Sequence, residues 1–229
     1  MRVLLVLLIC LFIGSCDKNR ELSELETAYI QQNVVHYLVE QDYPPFMFID
    51  KTTGEPAGKS KEFMDKISVI TGLKFVPIRN CQLVECLEIM KRSDNQIITS
   101  IRPTPDRSTY MHFSRPYLNV DTLMVRRINQ PKTIGIGKGY AIKEYLQRAY
   151  KHLTVIEFDS DEQSINSLIK RDIDAVALDV DSNSLLKEKY KYKFHEQILP
   201  FEYHLSFGLP LDDFVLKSIL DKSISRIND

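Results

Sequence analysis

Ile97-Ile98-Thr99-Ser100-Ile101-Arg102-Pro103-Thr104-Pro105-Asp106-Arg107, running on to Phe113-Ser114-Arg115-Pro116-Tyr117, decides how this chain is read. It begins as a short apolar strand and breaks into a loop rich in hydroxyls. Pro103 and Pro105 each fix their own φ and push the preceding residue out of the α region, which stiffens the loop. Arg107 then stands at a candidate helix start beside threonine and serine. A planar guanidinium in that setting suits a carboxylate, because it donates two parallel hydrogen bonds. The same residues also fit a surface turn whose arginine is merely solvated. The stretch alone leaves both readings open.

Upstream, strand and helix patterns alternate. Val34–Val39 reads as a strand ending in Glu40-Gln41-Asp42-Tyr43-Pro44-Pro45-Phe46, where the paired prolines hold Tyr43 and Phe46 in an extended turn. Ser60–Thr71 carries Phe63, Ile67 and Ile70 at helical spacing, with Gly72 as its stop. Lys74–Ile78 is a strand, and Leu83, Leu87 and Met90 mark a helix. Downstream the pattern restarts: strands at Thr122–Arg126 and Thr133–Ile136, a glycine loop Gly137-Lys138-Gly139-Tyr140-Ala141, and a helix carrying Ile142 and Leu146. Exposed amides at such a helix start attract an anion, but the spacing is neither a Walker loop nor a dinucleotide fingerprint. Thr154–Phe158 and Ala175–Leu178 are further strands around an Asp161–Lys170 helix. Asp179 sits at a strand's C-terminal edge, where open α/β sheets present ligand groups. Asp181-Ser182 reads as a cap for the next helix. His204–Leu209 is a strand, and Leu216, Leu220, Ile224 and Ile227 mark a last helix. The alternation predicts parallel-rich sheets covered by helices.

The 229 residues suffice for one domain or two small lobes, and a formal net charge of −1 argues against nucleic-acid binding. Met1-Arg2, the apolar run Val3–Phe12 and Ile13-Gly14-Ser15-Cys16 resemble the leader and lipobox of bacterial lipoproteins, with the lipid on Cys16. Residues 1–15 are then a signal peptide and 16–33 a charged tether with some helical tendency (Leu22, Leu25, Tyr29). Asp17 resembles the inner-membrane retention signal of enteric-type bacteria. The expected location is the periplasm or cell envelope, on the membrane through the lipid. Cys81 and Cys86 would face apart on one regular helix, so a disulfide requires Cys81 to lie before the helix. That point stays open. No Cys-x-x-Cys, metal spacing or Ser-His-Asp order is present, so no metal, cofactor or catalytic residue is expected.

Tyr43-Pro44-Pro45-Phe46, the turn near Gly54 and Gly58, Thr104-Pro105-Asp106-Arg107 and Phe113-Ser114-Arg115-Pro116-Tyr117 occur in the order of the family 3 extracellular solute-binding proteins, which this chain resembles from Val34 to Ile227. The resemblance implies a bilobal α/β fold of the type II periplasmic-binding class, two open sheets with flanking helices joined by a two-strand hinge. Lobe 1 would span 34–118 and 205–229, and lobe 2 would span 119–204. It implies that Arg107 grips a ligand carboxylate, helped by Thr99 and Ser100. Gly139, Tyr140 and Ala141 would form the second-lobe loop, Asp179 would hold the ammonium, and Tyr43 would be an aromatic wall with Glu40 before it. Capture of an amino acid or related small carboxylate by a monomer for an ABC importer follows, with a sensory or accessory lipoprotein reporting to a membrane partner as the alternative. This fold also hosts cyclohexadienyl dehydratases, in which Asp179 or Glu40 would be a general acid.

Several positions depart from the family pattern. No second aromatic stands near Cys81 or Gln82, Arg102 replaces a small or hydroxyl residue, and Ala141 replaces a hydroxyl. Lys59-Ser60-Lys61 replaces acidic residues after Gly58, and the chain stops at Asp229, where the family continues. Were Arg102 to point into the cleft, it would call for a ligand with a second carboxylate; pointing outward, it would be a solvated surface group.

Overall fold

The computed structural model describes residues 21–92, 95–201 and 203–228. The leader, Cys16 and Asp17 lie outside the described residues. In chain order the first elements are α1 (Glu24–Gln32), β1 (Val34–Glu40), β2 (Asp42–Tyr43), β3 (Met47–Ile49), β4 (Pro56–Ala57), α2 (Lys59–Thr71), β5 (Lys74–Cys81), α3 (Leu83–Arg92) and β6 (Ile97–Ile101). A 3-10 turn at Arg107–Thr109 precedes β7 (His112–Phe113), β8 (Leu118–Val120), β9 (Thr122–Arg126), β10 (Thr133–Gly137) and α4 (Ile142–Ala149). The chain ends with β11 (Thr154–Phe158), α5 (Asp161–Lys170), β12 (Ala175–Asp179), α6 (Val180–Tyr190), β13 (His195–Ile198), β14 (Tyr203–Leu209) and α7 (Phe214–Asn228).

Two main sheets form, as the family resemblance implies. The first runs β5-β1-β6-β14-β7 and the second β11-β10-β12-β9-β13. Parallel pairs join β1 to β5 and β6, and β10 to β11 and β12. All five positions of β6 and of β12 are buried, as expected for strands covered on both faces. Each sheet therefore presents its strand ends, and whatever they carry, at an edge rather than on a face. β8 pairs antiparallel with β14 between the sheets, with His204 opposite Asn119, so the two crossovers form one short ribbon.

The tether reading is corrected over Glu24–Gln32, which is helix α1 docked on α7. Ser23 and Glu26 close a capping box, with the Glu26 amide on Ser23 Oγ and the Ser23 amide on Glu26. The Glu26 carboxylate also accepts from Ser218 Oγ at 2.6 Å and Lys222 Nζ at 2.7 Å, and Tyr29 Oη donates to Asp213 at 2.7 Å. Leu25 points to solvent. Leu22, Tyr29 and Ile30 pack against the first-lobe core beside these polar contacts, and the polar partners, far along the chain, are what hydrophobic spacing did not reveal. Burial alone would raise Glu26, but Lys222, Ser218 and Ser23 together hold it down at about 2.

The open question at Cys81 and Cys86 is answered by a disulfide between them. Cys81 ends β5 and Cys86 lies one turn into α3, so they do not share a helix. The cap reading of Asp181-Ser182 is also corrected. Asp179 occupies the N-cap position of α6 without a side-chain cap bond, and both residues behind it reach across to the other sheet.

Candidate functional site

The C-terminal ends of β1, β6, β10 and β12 converge on one cleft between the sheets. From the first lobe come Glu40 at the end of β1, Tyr43 in β2 of the small β2-β3-β4 sheet, Ser100 in β6, and Arg102 and Arg107 in the loop that follows. From the second come Tyr140 and Ala141 after β10 and Asp179 at the end of β12. Glu40, Tyr43, Ser100, Arg107 and Asp179 are all buried.

Arg107 lies as its loop predicts, with its amide on Thr104 Oγ1 at 3.2 Å. Its guanidinium donates to the Arg102 carbonyl at 2.6 Å and, across the cleft, to the Gly139 carbonyl at 2.9 Å. Gly139 has φ +77°, a conformation that suits glycine and turns that carbonyl toward Arg107. The solvated-turn alternative is therefore excluded by burial, and the fork meets carbonyl oxygens in the region expected for a carboxylate.

Tyr43 Oη donates to Asp179 Oδ2 at 2.6 Å, a bond between the two lobes. The ring lies 4.9 Å from Phe46 and 6.0 Å from Tyr140. The Pro44 carbonyl accepts from Ser182 Oγ at 2.9 Å, and Lys59 pairs with Asp181 at 2.7 Å. Lys59, a departure from the family pattern, thus serves an inter-lobe contact. Both partners are near half exposed, so the pair contributes no more than about 1 kcal/mol. Gly58 before it has φ +113°, and a Cβ there would stand 2.5 Å from the Phe46 carbonyl oxygen, so the turn admits only glycine.

Ser100 and Thr99 differ in placement, although their hydroxyls lie 3.4 Å apart. Ser100 Oγ lines the cleft and donates to Ser60 Oγ at 2.8 Å, whose own hydroxyl lies 2.7 Å from Tyr117 Oη. Thr99 lines neither cleft compartment and stands behind the wall, its carbonyl accepting from Tyr117. Arg102 points inward. Its guanidinium carbon stacks 3.6 Å from the centroid of Phe201, and both residues line the cleft with Asp179. Phe201 supplies from the far lobe the second aromatic that is missing near Cys81. Only the fold could reveal it, since it lies 99 residues downstream of Arg102 in an irregular stretch.

The charges are richer in acid than the sequence suggested. Asp161, at the first turn of α5, stands by Tyr140 within electrostatic reach of Glu40 and Asp179 without lining either compartment. It was legible only as a helix start beside its cap Ser160. Burial pushes Glu40 up to about 8, with Arg107 opposing and Asp161, Asp179 and Asp42 adding repulsion. Burial and then Asp179 push Asp161 up to about 8 against a Tyr140 hydrogen bond. Asp179 rises to about 7 by burial, against its Tyr43 hydrogen bond. Glu40 Oε2 and Asp161 Oδ1 have no hydrogen-bond partner among the described residues. No group of three His, Cys, Asp or Glu side chains among the described residues is placed to hold a metal ion.

The cleft divides into two compartments of about 10 Å³ each, one against Arg102, Phe201 and Asp179, the other against Glu40, Arg107 and Leu83. Each has room for about one water. An amino acid therefore enters only if the lobes part, which breaks the Tyr43–Asp179 and Arg107–Gly139 bonds.

The chain matches the family model of bacterial extracellular solute-binding proteins, family 3, over residues 35–229. It is 22% identical over 223 residues to the sensor protein EvgS of Escherichia coli (strain K12), covering 92% of this chain and 18% of that protein. Among solved structures it resembles the periplasmic VFT2 domain of Bordetella pertussis BvgS, with TM-score 0.79 and 20% identity over 90% of this chain and 94% of that one. It also resembles an arginine-specific periplasmic binding protein of Salmonella typhimurium, with TM-score 0.70 and 17% identity over 85% of this chain and 93% of that one. At these identities the structural likeness establishes the fold alone.

Proposed function

The chain belongs to the family 3 bacterial extracellular solute-binding proteins, and from that premise we propose that it is a two-lobed clamp for a small amino-acid-like ligand, reporting occupancy to a membrane partner. One observation carries the reading: Arg107 and Asp179 reach a single cleft from opposite sheets. Neither lobe alone satisfies a ligand bearing both a carboxylate and an ammonium. Closure around it excludes water and strengthens both contacts.

Charge narrows the ligand. Arg102 points inward, the condition under which a second ligand carboxylate was expected. Glu40, with Asp161 nearby, offsets that balance: burial keeps both carboxyl groups protonated near neutral pH, and an approaching ligand cation would favour their ionised form and be paired by it. A ligand with one carboxylate and additional cationic character leaves fewer buried charges unpaired than a dicarboxylate does. Recognition, not catalysis, is the role these groups support, in keeping with the binding and sensor proteins among the relatives.

A sensing output is favoured by the likeness to sensor protein EvgS and to a histidine kinase sensor domain with TM-score 0.73 and 16% identity. The chain spans 18% of EvgS, so the remainder of that protein's activity is not transferred. Delivery to an ABC importer is the second reading, favoured by the likeness to arginine-binding proteins. In either case we place the chain in the cell envelope, held by lipid on Cys16.

Titration calorimetry and thermal shift of the chain against basic, neutral and acidic amino acids test the clamp. A ligand bound only by the folded state raises the melting temperature. We expect basic or neutral amino acids to do so in the native protein and not in Arg107→Ala. Acidic ligands binding best would overturn the charge argument. No amino acid or small carboxylate binding at all would overturn the function.

A further inference from the structure

The strand ends remote from the cleft carry a second feature, which the binding site does not use. Register aligns that edge: Arg126 faces both Ala175 and His195, Ile134 faces Ala175, and Thr133 faces Thr154. The loops leaving this row are basic. Lys132 precedes β10, and Lys151 leads toward β11. Lys170 and Arg171 close α5, Arg148 lies in the last turn of α4, and Lys191 and Lys193 lie between α6 and β13. All seven are exposed, and none forms an ion pair among the described residues.

Elsewhere in the same lobe cations are paired: Lys138 with Asp159, Lys143 with Glu157, Lys187 with Glu196 and Lys189 with Glu162. With Arg126 and Arg127 the pole holds nine cations against Asp172 and Asp174, a sum of +7 in a chain of formal net charge −1, so the remainder carries −8. Asp174 is already engaged by Arg127 and by the Lys132 and Thr133 amides. Helix dipoles account for Arg148, Lys170 and Arg171, which sit at helix C-termini. They do not account for Lys132, Lys151 and Lys193, which lead into strands.

We propose that this basic pole of the second lobe docks on an anionic phospholipid bilayer. The cations come from several separate loops across a five-stranded edge, a width of roughly 20 Å at strand spacing, rather than lining a groove. That layout suits a flat, laterally uniform array of negative charge more than a single acidic peptide. The remainder of the chain, which carries the net negative charge, is repelled by the same surface, so the bilayer would orient the molecule with this pole toward it.

The test is co-sedimentation of the full chain with vesicles of phosphatidylcholine alone and of equal parts phosphatidylcholine and phosphatidylglycerol. Any contribution of the apolar leader is common to both, so the ratio of the two partition coefficients is the readout. We expect that ratio to fall by about tenfold or more in Lys132→Glu/Lys151→Glu/Lys193→Glu, and in the native chain at high salt. The control Lys51→Glu/Lys66→Glu/Lys74→Glu makes the same charge change on exposed sites of the first lobe, and should leave the ratio within about threefold. Equal partitioning to both vesicles, or an equal loss in the control, overturns the proposal.

Discussion

The hydroxyl of Tyr43 donates to Asp179 across 2.6 Å, joining the loop after β1 in one sheet to the end of β12 in the other. The carboxylate expected to receive a ligand ammonium is thus already engaged by the opposite lobe, and Glu40 beside it is a buried carboxyl as well. On the proposed reading, closure and ligand recognition use the same atoms.

Tyr43→Phe removes that bond while keeping the ring against Phe46. We expect the closed arrangement to lose about 1–3 kcal/mol, seen as a larger radius of gyration in solution scattering and faster amide exchange in β8 and β14. An unchanged radius and unchanged exchange would show that other contacts hold the lobes.

Arg107→Ala should abolish binding of a carboxylate ligand, since removing one partner of a buried pair costs about 3–5 kcal/mol. Calorimetry placing the mutant within a few-fold of the native affinity would remove Arg107 from the site. The melting temperature should change less than the affinity, because the guanidinium's bonds to the Arg102 and Gly139 carbonyls lie at the cleft rather than in either core.

Stability should fall as pH rises. Burial lifts Glu40 and Asp161 to about 8 and Asp179 to about 7, so the closed protein holds protons that the unfolded chain releases. Below about pH 4 both states are protonated. Between there and about pH 8 the folded state binds more protons and loses stability with each unit of rise. Thermal scans from pH 5 to pH 9 should show this slope, reduced in Glu40→Gln. A melting temperature that climbs over this window contradicts it.

Glu26 has the opposite sign. Its carboxylate, held at about 2 by Lys222, Ser218 and Ser23, contributes stability above the ordinary carboxylate range and loses it as pH falls below that range. Glu26→Gln should cost about 1.5–3 kcal/mol, the worth of hydrogen bonds to a charged group, and should release α1 from α7. Denaturant unfolding with hydrogen exchange at Tyr29–Gln32 measures both effects.

Cys16→Ser should yield a chain that no longer partitions into detergent through acyl chains. Mass spectrometry of the native protein from its membrane should find lipid on Cys16, and an unmodified cysteine there would end the anchor proposal.

Period and punctuation determined the elements: strands at Val34, Lys74, Ile97, Thr122, Thr133, Thr154 and Ala175 all form where apolar runs stop at glycine, proline or polar loops. Arg107 and Asp179 were legible because each follows a strand, and strand ends of parallel sheets meet at one edge. Arg102, Phe201 and Asp161 were not. Whether Arg102 turned inward depended on an aromatic far along the chain, and Asp161 becomes a cleft charge only when α5 is carried there by its sheet. Likewise Glu26 and Lys222 are nearly the whole chain apart, and the disulfide depended on where β5 ended. The sequence by itself determined local conformation and the residues placed at each strand's end, because backbone propensity and apolar period act over a few residues. Which of those ends face one another, and hence the charge of the cleft and the bond between its lobes, was decided only by the tertiary structure, because electrostatics and desolvation act through space between groups that the chain does not bring together locally.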